Sequence, residues 1–377
     1  MQYRKFGRFD IKVSALGFGC MRLPLAADGS INEPEAIRLI RDAIDRGVNY
    51  VDTAYGYHGG KSELLVGKAL RDGYRDKVFL ATKCPPWKLE THADFDRLLN
   101  EQLKKLGANN VDMYMMHAVN ADTWKTVRDL DCFSFLERAK ADGRIRYAGF
   151  SFHDNITVFK EMVDHYNWDF CQIQYNYMDQ TNQAGTEGLR YAASKGMAVI
   201  VMEPLLGGKL SKPAPEPVQA LWDTAATKRS PAAWALSWLW NQPEVSLLLS
   251  GMNAQTQLDE NMAVADYAVP GFLGADELAL IDQVKAEYEK LTRVPCTGCE
   301  YCMPCPSGVD IPGIFRAYNQ AVIYDDFAGQ GAHYRNNFPE SEKATSCAEC
   351  GACEAVCPQK IGIIEKLKEA HEALMKG

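Results

Sequence analysis

The sequence predicts a closed (β/α)8 barrel followed by a small cysteine-rich domain, and three observations lead there. Short apolar runs alternate with longer amphipathic ones from Leu16 to about Gly251. Eight strand-then-helix units over that length suit a closed parallel barrel. Eight of the 12 cysteines then crowd into two tight groups near the C-terminus. The runner-up, an open doubly wound sheet, is weakened because no Gly-x-Gly-x-x-Gly pattern follows the first strand.

In chain order, Arg4–Val13 reads as a hairpin across the barrel floor, turning at Gly7. The strand-length runs are Ala15–Cys20, Val48–Asp52, Val78–Thr82, Val111–His117, Ile145–Phe150, Cys171–Tyr175, Ala198–Met202 and Val245–Leu249. Most are rich in Val, Ile, Leu or aromatics, as parallel strands buried on both faces are. Between them, Glu35–Arg46 carries Ile37, Ile40 and Ile44 at helical spacing and stops at Gly47. Lys61–Leu70, Phe95–Leu106, Phe133–Lys140, Ile156–Tyr166, Thr186–Ser194 and Pro231–Trp240 follow the same pattern. Gly107, Gly143 and Gly196 supply C-terminal stops. Ser211–Pro217 reads as the loop after strand seven. The helical run Asp276–Leu291 closes the barrel, so the domains are expected at 1–291 and 292–377. The tail carries a helical stretch around Ile314–Ile323 and a final amphipathic helix, Ile363–Met375. It is too short and cysteine-dense to fold on apolar burial alone, so a metal is expected to organise it.

The 377 residues are 47% hydrophobic, enough for a sizeable core, and the formal net charge is −8. The absence of a basic run argues against nucleic acid or anionic membrane as the main partner. The start, Met1–Phe6, has no apolar stretch like a signal peptide, and no run approaches the roughly 18 residues of a membrane span. A cytoplasmic protein is expected. Thiols clustered in a reducing compartment point to metal rather than disulfides. Cys20, Cys84, Cys132 and Cys171 are scattered, and Cys20 and Cys84 read as small core residues.

Polar residues punctuate three neighbouring strand ends. Asp52 closes the second strand, with Tyr57 five residues later in VDTAYGY. Lys83 follows the third strand and His117 the fourth. Each alone is more often a polar cap than a catalyst, but four on the catalytic face of adjacent strands are not readily caps. A tyrosine of ordinary pKa about 10 donates protons poorly at neutral pH. A buried lysine ammonium would lower that value, and an aspartate would keep the lysine charged. A neutral histidine would orient a substrate carbonyl. The set is suited to protonating a carbonyl oxygen as hydride reaches its carbon.

These residues resemble the aldo/keto reductases: Asp52, Tyr57, Lys83 and His117 stand in family order within VDTAYGY, ATK and MYMMH. The likeness extends through GFGCMRLP (17–24), IRYAGFS (145–151), QIQYN (172–176), MEPLLGGKL (202–210) and LDEN (258–261). It implies a TIM barrel and reversible, nicotinamide-dependent reduction of a small carbonyl or oxidation of an alcohol. Tyr57 would be the general acid, tuned by Lys83 and Asp52. Ser151, Gln174, Tyr175 and Asn176 would surround the nicotinamide, with Pro204, Leu205 and Gly207 along the pyrophosphate. Gly251, Gln257, Glu260 and Asn261 would complete the nucleotide site. One departure stands out. After strand eight, family members typically hold the adenosine 2′-phosphate with lysine or arginine, and Ser250–Asn261 has neither. Without that charged fork, NADH is used, NADPH binds weakly, or electrons enter by another route, unless an arginine arrives from elsewhere in the fold.

In the tail, Cys347, Cys350, Cys353 and Cys357 spell Cys-x2-Cys-x2-Cys-x3-Cys-Pro, a run used for [4Fe–4S] clusters. Cys296, Cys299, Cys302 and Cys305 form a group one residue shorter, also ending in Cys-Pro. Zinc, the alternative, gives no reason for a triple followed by Cys-Pro twice. The tail resembles a two-cluster ferredoxin domain, and its fusion to an aldo/keto reductase barrel resembles a prokaryotic subfamily. The resemblance implies two [4Fe–4S] clusters, one on Cys296, Cys299, Cys302 and Cys357, the other on Cys347, Cys350, Cys353 and Cys305. Clusters pass single electrons whereas nicotinamide moves a hydride, which points to a flavin or to a redox partner such as ferredoxin or flavodoxin. No flavin fingerprint is visible. The rival reading makes the clusters structural, shaping a partner-binding module on an ordinary reductase. A third reading, a degenerate barrel serving an electron carrier, is opposed by the intact Asp–Tyr–Lys–His set.

Overall fold

A hairpin of β1 (Tyr3–Lys5) and β2 (Lys12–Ser14) leads into a closed barrel of parallel strands. The computed structural model describes residues 1–377 except 297, 299, 300 and 358. The barrel runs β3 (Leu16–Gly19), α1 (Glu33–Asp45), β4 (Tyr50–Asp52), α2 (Ser62–Ala69), β5 (Phe79–Cys84), α3 (Ala93–Leu106) and β6 (Val111–Val119). Two helices follow, α4 (Ala121–Asp129) and α5 (Cys132–Ala141), then β7 (Ile145–Phe152), α6 (Ile156–His165), β8 (Phe170–Gln174), α7 (Gly185–Ser194) and β9 (Ala198–Met202). Next come α8 (Glu216–Trp222), α9 (Pro231–Trp240), β10 (Val245–Ser250), α10 (Gln255–Ala265) and α11 (Ala275–Lys290). Each barrel strand pairs with its sequence neighbour, and β10 closes on β3 through Leu248–Leu16 and Ser250–Phe18.

Alternation decides what fills the barrel. Met113 and Met115, Ala198 and Ile200, and Leu247 and Leu249 are each two apart, so they share the inward face. Phe6 and Val13 of the hairpin pack with them, closing the floor as the sequence predicts. Gly7 makes this close approach possible. Its φ is +54°, and a Cβ there would lie 2.5 Å from the Ala198 backbone nitrogen.

The chain divides into two units, Met1–Ser211 with Arg229–Leu278, and Lys212–Lys228 with Ala279–Gly377. The second contains α8, most of α11, and the tail helices α12 (Ile311–Ile323), α13 (Phe327–Asn337), α14 (Ala352–Val356) and α15 (Ile363–Lys376). It has its own apolar core, including Ile311, Ile314, Phe315, Tyr334, Leu367 and Leu374. Helices supply this core and cysteines edge it. Five helices were not foreseen: α4, α8, α10, α13 and α14. In α4 only Trp124 and Val127 are buried, and its start is set by a capping box between Asn120 and Thr123. No helix among the described residues is long and apolar enough to cross a membrane.

Candidate active site and candidate cluster centre

Register places the polar set at one end of the barrel. Asp52 pairs with Ala81 at the end of β4, whereas β5 continues for three residues, so Lys83 projects beside the turn that carries Tyr57. Lys83 is fully buried, and its ammonium donates to Asp52 Oδ1 at 2.5 Å and to the Thr53 carbonyl at 2.8 Å. The same nitrogen lies 4.8 Å from the Tyr57 ring centroid. His117 reaches the site because the β6–β7 register shifts between Met116 and Val119, where Ala118 takes a φ of +50°. The amide freed there, Ala118 N–H, donates to Ser151 Oγ at 2.7 Å. The His117 ring packs edge-on to Tyr57 at 5.8 Å and against Trp87 at 5.3 Å.

The charges follow from burial and neighbours. Desolvation pulls the Lys83 ammonium down, but Asp52 and Tyr57 outweigh it and hold the group above the usual lysine value. Desolvation raises Asp52 against the pull of Lys83. His117 is pushed down to about 3, by burial first and then by Lys83 and His153, so it is neutral. Tyr57 departs from expectation. Burial raises its pKa, and Lys83, working in the opposite direction, does not bring it below the ordinary phenol value. The phenol therefore stays protonated.

The set opens on a cavity of about 180 Å³ lined by residues that include Tyr57, Asp52, His117, Ser151, Gln172 and Gly251. Three buried polar atoms of lining residues have no hydrogen-bond partner among the described residues: Asp52 Oδ2, His117 Nδ1 and Gln172 Oε1. Arg22 and Glu203 form an ion pair at 3.2 Å on the same lining. At Gly251 a Cβ would meet Arg22 Cβ at 3.1 Å, so a larger residue would crowd that arginine.

Other expected nucleotide residues are not on this lining. Gln174 Nε2 donates to Asp179 at 2.9 Å. Tyr175 faces the helix layer, where its hydroxyl meets Thr186 at 2.8 Å and Gln242 at 3.2 Å. Asn176 knots its own loop, donating to the Glu203 carbonyl and accepting from the Met178 and Asp179 amides. Pro204, Leu205 and Gly207 belong to the turn after β9, where Gly207 takes a φ of +68° and the Leu205 carbonyl accepts from Gly208 and Leu210. Gln257 Oε1 accepts from the Asn253 amide at 2.9 Å, Glu260 accepts from the Ser230 hydroxyl, and buried Asn261 donates to Ser250 at 3.0 Å. Sequence reasoning did not single out Gln172, Arg22, His153, Met202 or Glu203. Gln172 shares an inward face with Phe170, a signal that strand alternation carries.

Arginines do arrive at the start of α10 from elsewhere in the fold. Arg38 donates to Gln255 at 2.8 Å, and Arg46 pairs with Asp259 at 2.6 Å. Each is already matched by carboxylates. Glu35 grips Arg38 through two bonds, Asp42 lies 3.5 Å from Arg46, and Gln255 donates to both Asp42 and Asp259.

In the second unit, Cys296, Cys302, Cys305, Cys347 and Cys357 pack against the core that contains Cys353, while Cys350 is exposed. Cys299 lies outside the described residues. None of the described cysteines is in a disulfide. Positive φ at Glu349 (+55°) and Gly351 (+73°) turns the chain between Cys347 and Cys353, and the Glu349 amide donates to Cys347 Sγ at 3.4 Å. No three Cys, His, Asp or Glu side chains among the described residues are grouped closely enough to hold a single ion. An all-sulfur donor set at an apolar edge, with an amide aimed at sulfur, fits an iron–sulfur group.

The site thus sets a buried lysine–aspartate pair beside a tyrosine at the C-terminal strand ends of a closed parallel barrel. The chain belongs to the aldo/keto reductase family, whose pattern matches residues 15–285. It carries a 4Fe-4S dicluster domain over residues 295–362. It is 26% identical over 294 residues to a probable aldo-keto reductase 1 of Glycine max, covering 68% of this chain and 82% of the other. It is 24% identical over 315 residues to L-galactose dehydrogenase of Arabidopsis thaliana, covering 78% and 97%. Among solved structures it resembles the holo form of aldo-keto reductase AKR11C1 from Bacillus halodurans, with a TM-score of 0.63, 28% identity, and 75% and 96% of the two chains covered.

Proposed function

We propose that this oxidoreductase reduces a small carbonyl compound, or runs the reverse, with Tyr57 as the proton donor. The carrying observation is the fully buried Lys83 ammonium, bonded to Asp52 and 4.8 Å from the Tyr57 ring. That cation offsets part of the burial cost of a developing phenolate, so Tyr57 gives up its proton more readily than burial alone would allow. Neutral His117 keeps an unpartnered ring nitrogen at the cavity and orients the carbonyl oxygen without competing for the proton. Ser151 accepts from Ala118 and so keeps its own hydrogen to donate, while Gln172 Oε1 is an open acceptor. A donor and an acceptor together match a carboxamide, which supports a nicotinamide in this cavity. Bound nicotinamide would supply hydride.

The carboxylates around Arg38 and Arg46 disfavour an added phosphate at the start of α10, which supports NADH over NADPH as the nucleotide. Two [4Fe–4S] clusters held by the eight tail cysteines, Cys299 among them, would supply single-electron transfer to a protein redox partner. The test is Tyr57→Phe, assayed with para-nitrobenzaldehyde and either nucleotide. We expect kcat to fall by about 10²–10⁴-fold with unchanged nucleotide affinity. Undiminished turnover would overturn the assignment.

A further inference from the structure

A buried polar network lies behind the barrel wall, on the far side of Lys83 from the cavity. At its centre, Gln102 of α3 is fully buried. Its Nε2 donates to the Lys83 carbonyl at 2.9 Å and to Glu63 Oε1 at 2.7 Å, and lies 3.1 Å from Thr82 Oγ1. Its Oε1 accepts from the Tyr114 hydroxyl at 2.9 Å. The amide orientation is fixed by chemistry, since a carboxylate and a peptide carbonyl only accept.

The Lys83 carbonyl needs this partner. Along one edge of β5 the Ala81 carbonyl is taken by the Thr53 amide. Two residues further along the same edge, β4 has already ended at Asp52 and no strand faces Lys83. Gln102 stands in for the missing ladder partner, so the strand end bearing the lysine is held on both edges, by Gln102 here and by Met115 of β6 opposite.

The second half of the network reaches the tyrosine turn. Glu63 is a buried carboxylate in the first turn of α2, and it also accepts from Thr82 at 2.7 Å. Its other oxygen faces Lys105 at 3.6 Å. Lys105 sits 3.8 Å from the Tyr55 ring centroid and pairs with Glu101, which accepts from the Tyr55 hydroxyl. Beside Glu63, Ser62 bonds Thr53 at 2.9 Å and the Cys20 carbonyl at 3.1 Å. The turn Thr53–Tyr57 and the end of β5 are thus tied to one carboxylate.

We infer that Gln102, anchored by Glu63, is a positioning residue: it fixes the end of β5 so that the Lys83 ammonium stays against Tyr57. This rests on the proposed role of Tyr57 and Lys83. Slack in the network would let the cation drift from the phenol, while Asp52, Cys20 and His117, the other titratable groups facing Tyr57, stay in place.

The experiment compares Gln102→Leu, Tyr114→Phe and Tyr57→Phe in the full-length, cluster-loaded protein. Thermal melting and nucleotide affinity report folding, and kcat for para-nitrobenzaldehyde is followed against pH. For Gln102→Leu we expect kcat to drop about tenfold or more, with nucleotide affinity retained. Because Lys83 favours the phenolate, its drift moves the alkaline limb of kcat to higher pH. Tyr114→Phe loosens only the Oε1 side and should move the limb the same way by less. If Gln102→Leu does not fold, the limb of Tyr114→Phe decides alone. An unmoved limb in the folded variants, with Tyr57→Phe inactive, would overturn the positioning role and leave the site reading intact. An active Tyr57→Phe would instead remove the reading on which the inference rests.

Discussion

Lys83 carries a charge with no exposed surface, a placement that Asp52, the Thr53 carbonyl and Tyr57 make tolerable. Its neighbours divide the protonation states between them: a phenol held protonated and an imidazole held neutral. The pH dependence of carbonyl reduction follows. A group with a depressed pKa keeps its neutral form until the pH falls through that value, about 3 for His117. Tyr57, raised by burial, keeps its proton as the pH climbs to the ordinary phenol value of about 10. The kcat profile should be flat from about pH 6 to 9, and an acid limb centred near 6.5, the ordinary histidine value, would show His117 titrating. Asp52, Tyr57, Lys83 and His117 were legible because chemically unusual side chains stood at strand ends. Gln172 was not, because Gln174 shares its face. Only height along β8 separates them, and that leaves Gln174 bonded to Asp179.

Among the elements, α10 carries the clearest message about cofactor choice. Its start lacks a basic residue, and the two arginines that reach it, Arg38 of α1 and Arg46 just past that helix, are neutralised by Glu35, Asp42 and Asp259. Placing a cation there should restore what is missing. Asn253→Arg is expected to shift preference towards NADPH by about tenfold, close to 1.4 kcal/mol, read as the ratio of the two nucleotide Kd values. An unchanged ratio would mean that the added phosphate does not lie at this helix. Strands were legible as apolar runs of strand length rich in Val, Ile, Leu or aromatics. Helices α4, α10 and α13 were not, since local caps and a few buried contacts, rather than a broad apolar stripe, set them.

At the scale of the whole molecule, an aldo/keto reductase-family barrel and a 4Fe-4S dicluster domain share one chain. Adding NADH without oxygen should bleach the visible iron–sulfur absorbance if electrons pass between the two. Persistent absorbance alongside undisturbed aldehyde turnover would instead assign the clusters a structural role. The fused organisation was legible from the barrel pattern and the cysteine spacing together, and so were α12 and α15, whereas α13, which adds Tyr334 to the second unit's core, was not.

The division of the chain after Ser211, Lys228 and Leu278 has a consequence for inheritance. A module appended at the end of a gene can be lost by one stop codon, leaving its host intact. Here residues 212–228, with Val218 and Trp222 buried at 0% and 3%, belong to the cysteine-bearing unit although barrel strands lie on both sides of them in sequence. Stopping translation after residue 278 would strand that excursion with two large apolar side chains lacking the rest of their unit. The two modules are spliced into each other's reading order and must be kept or lost together.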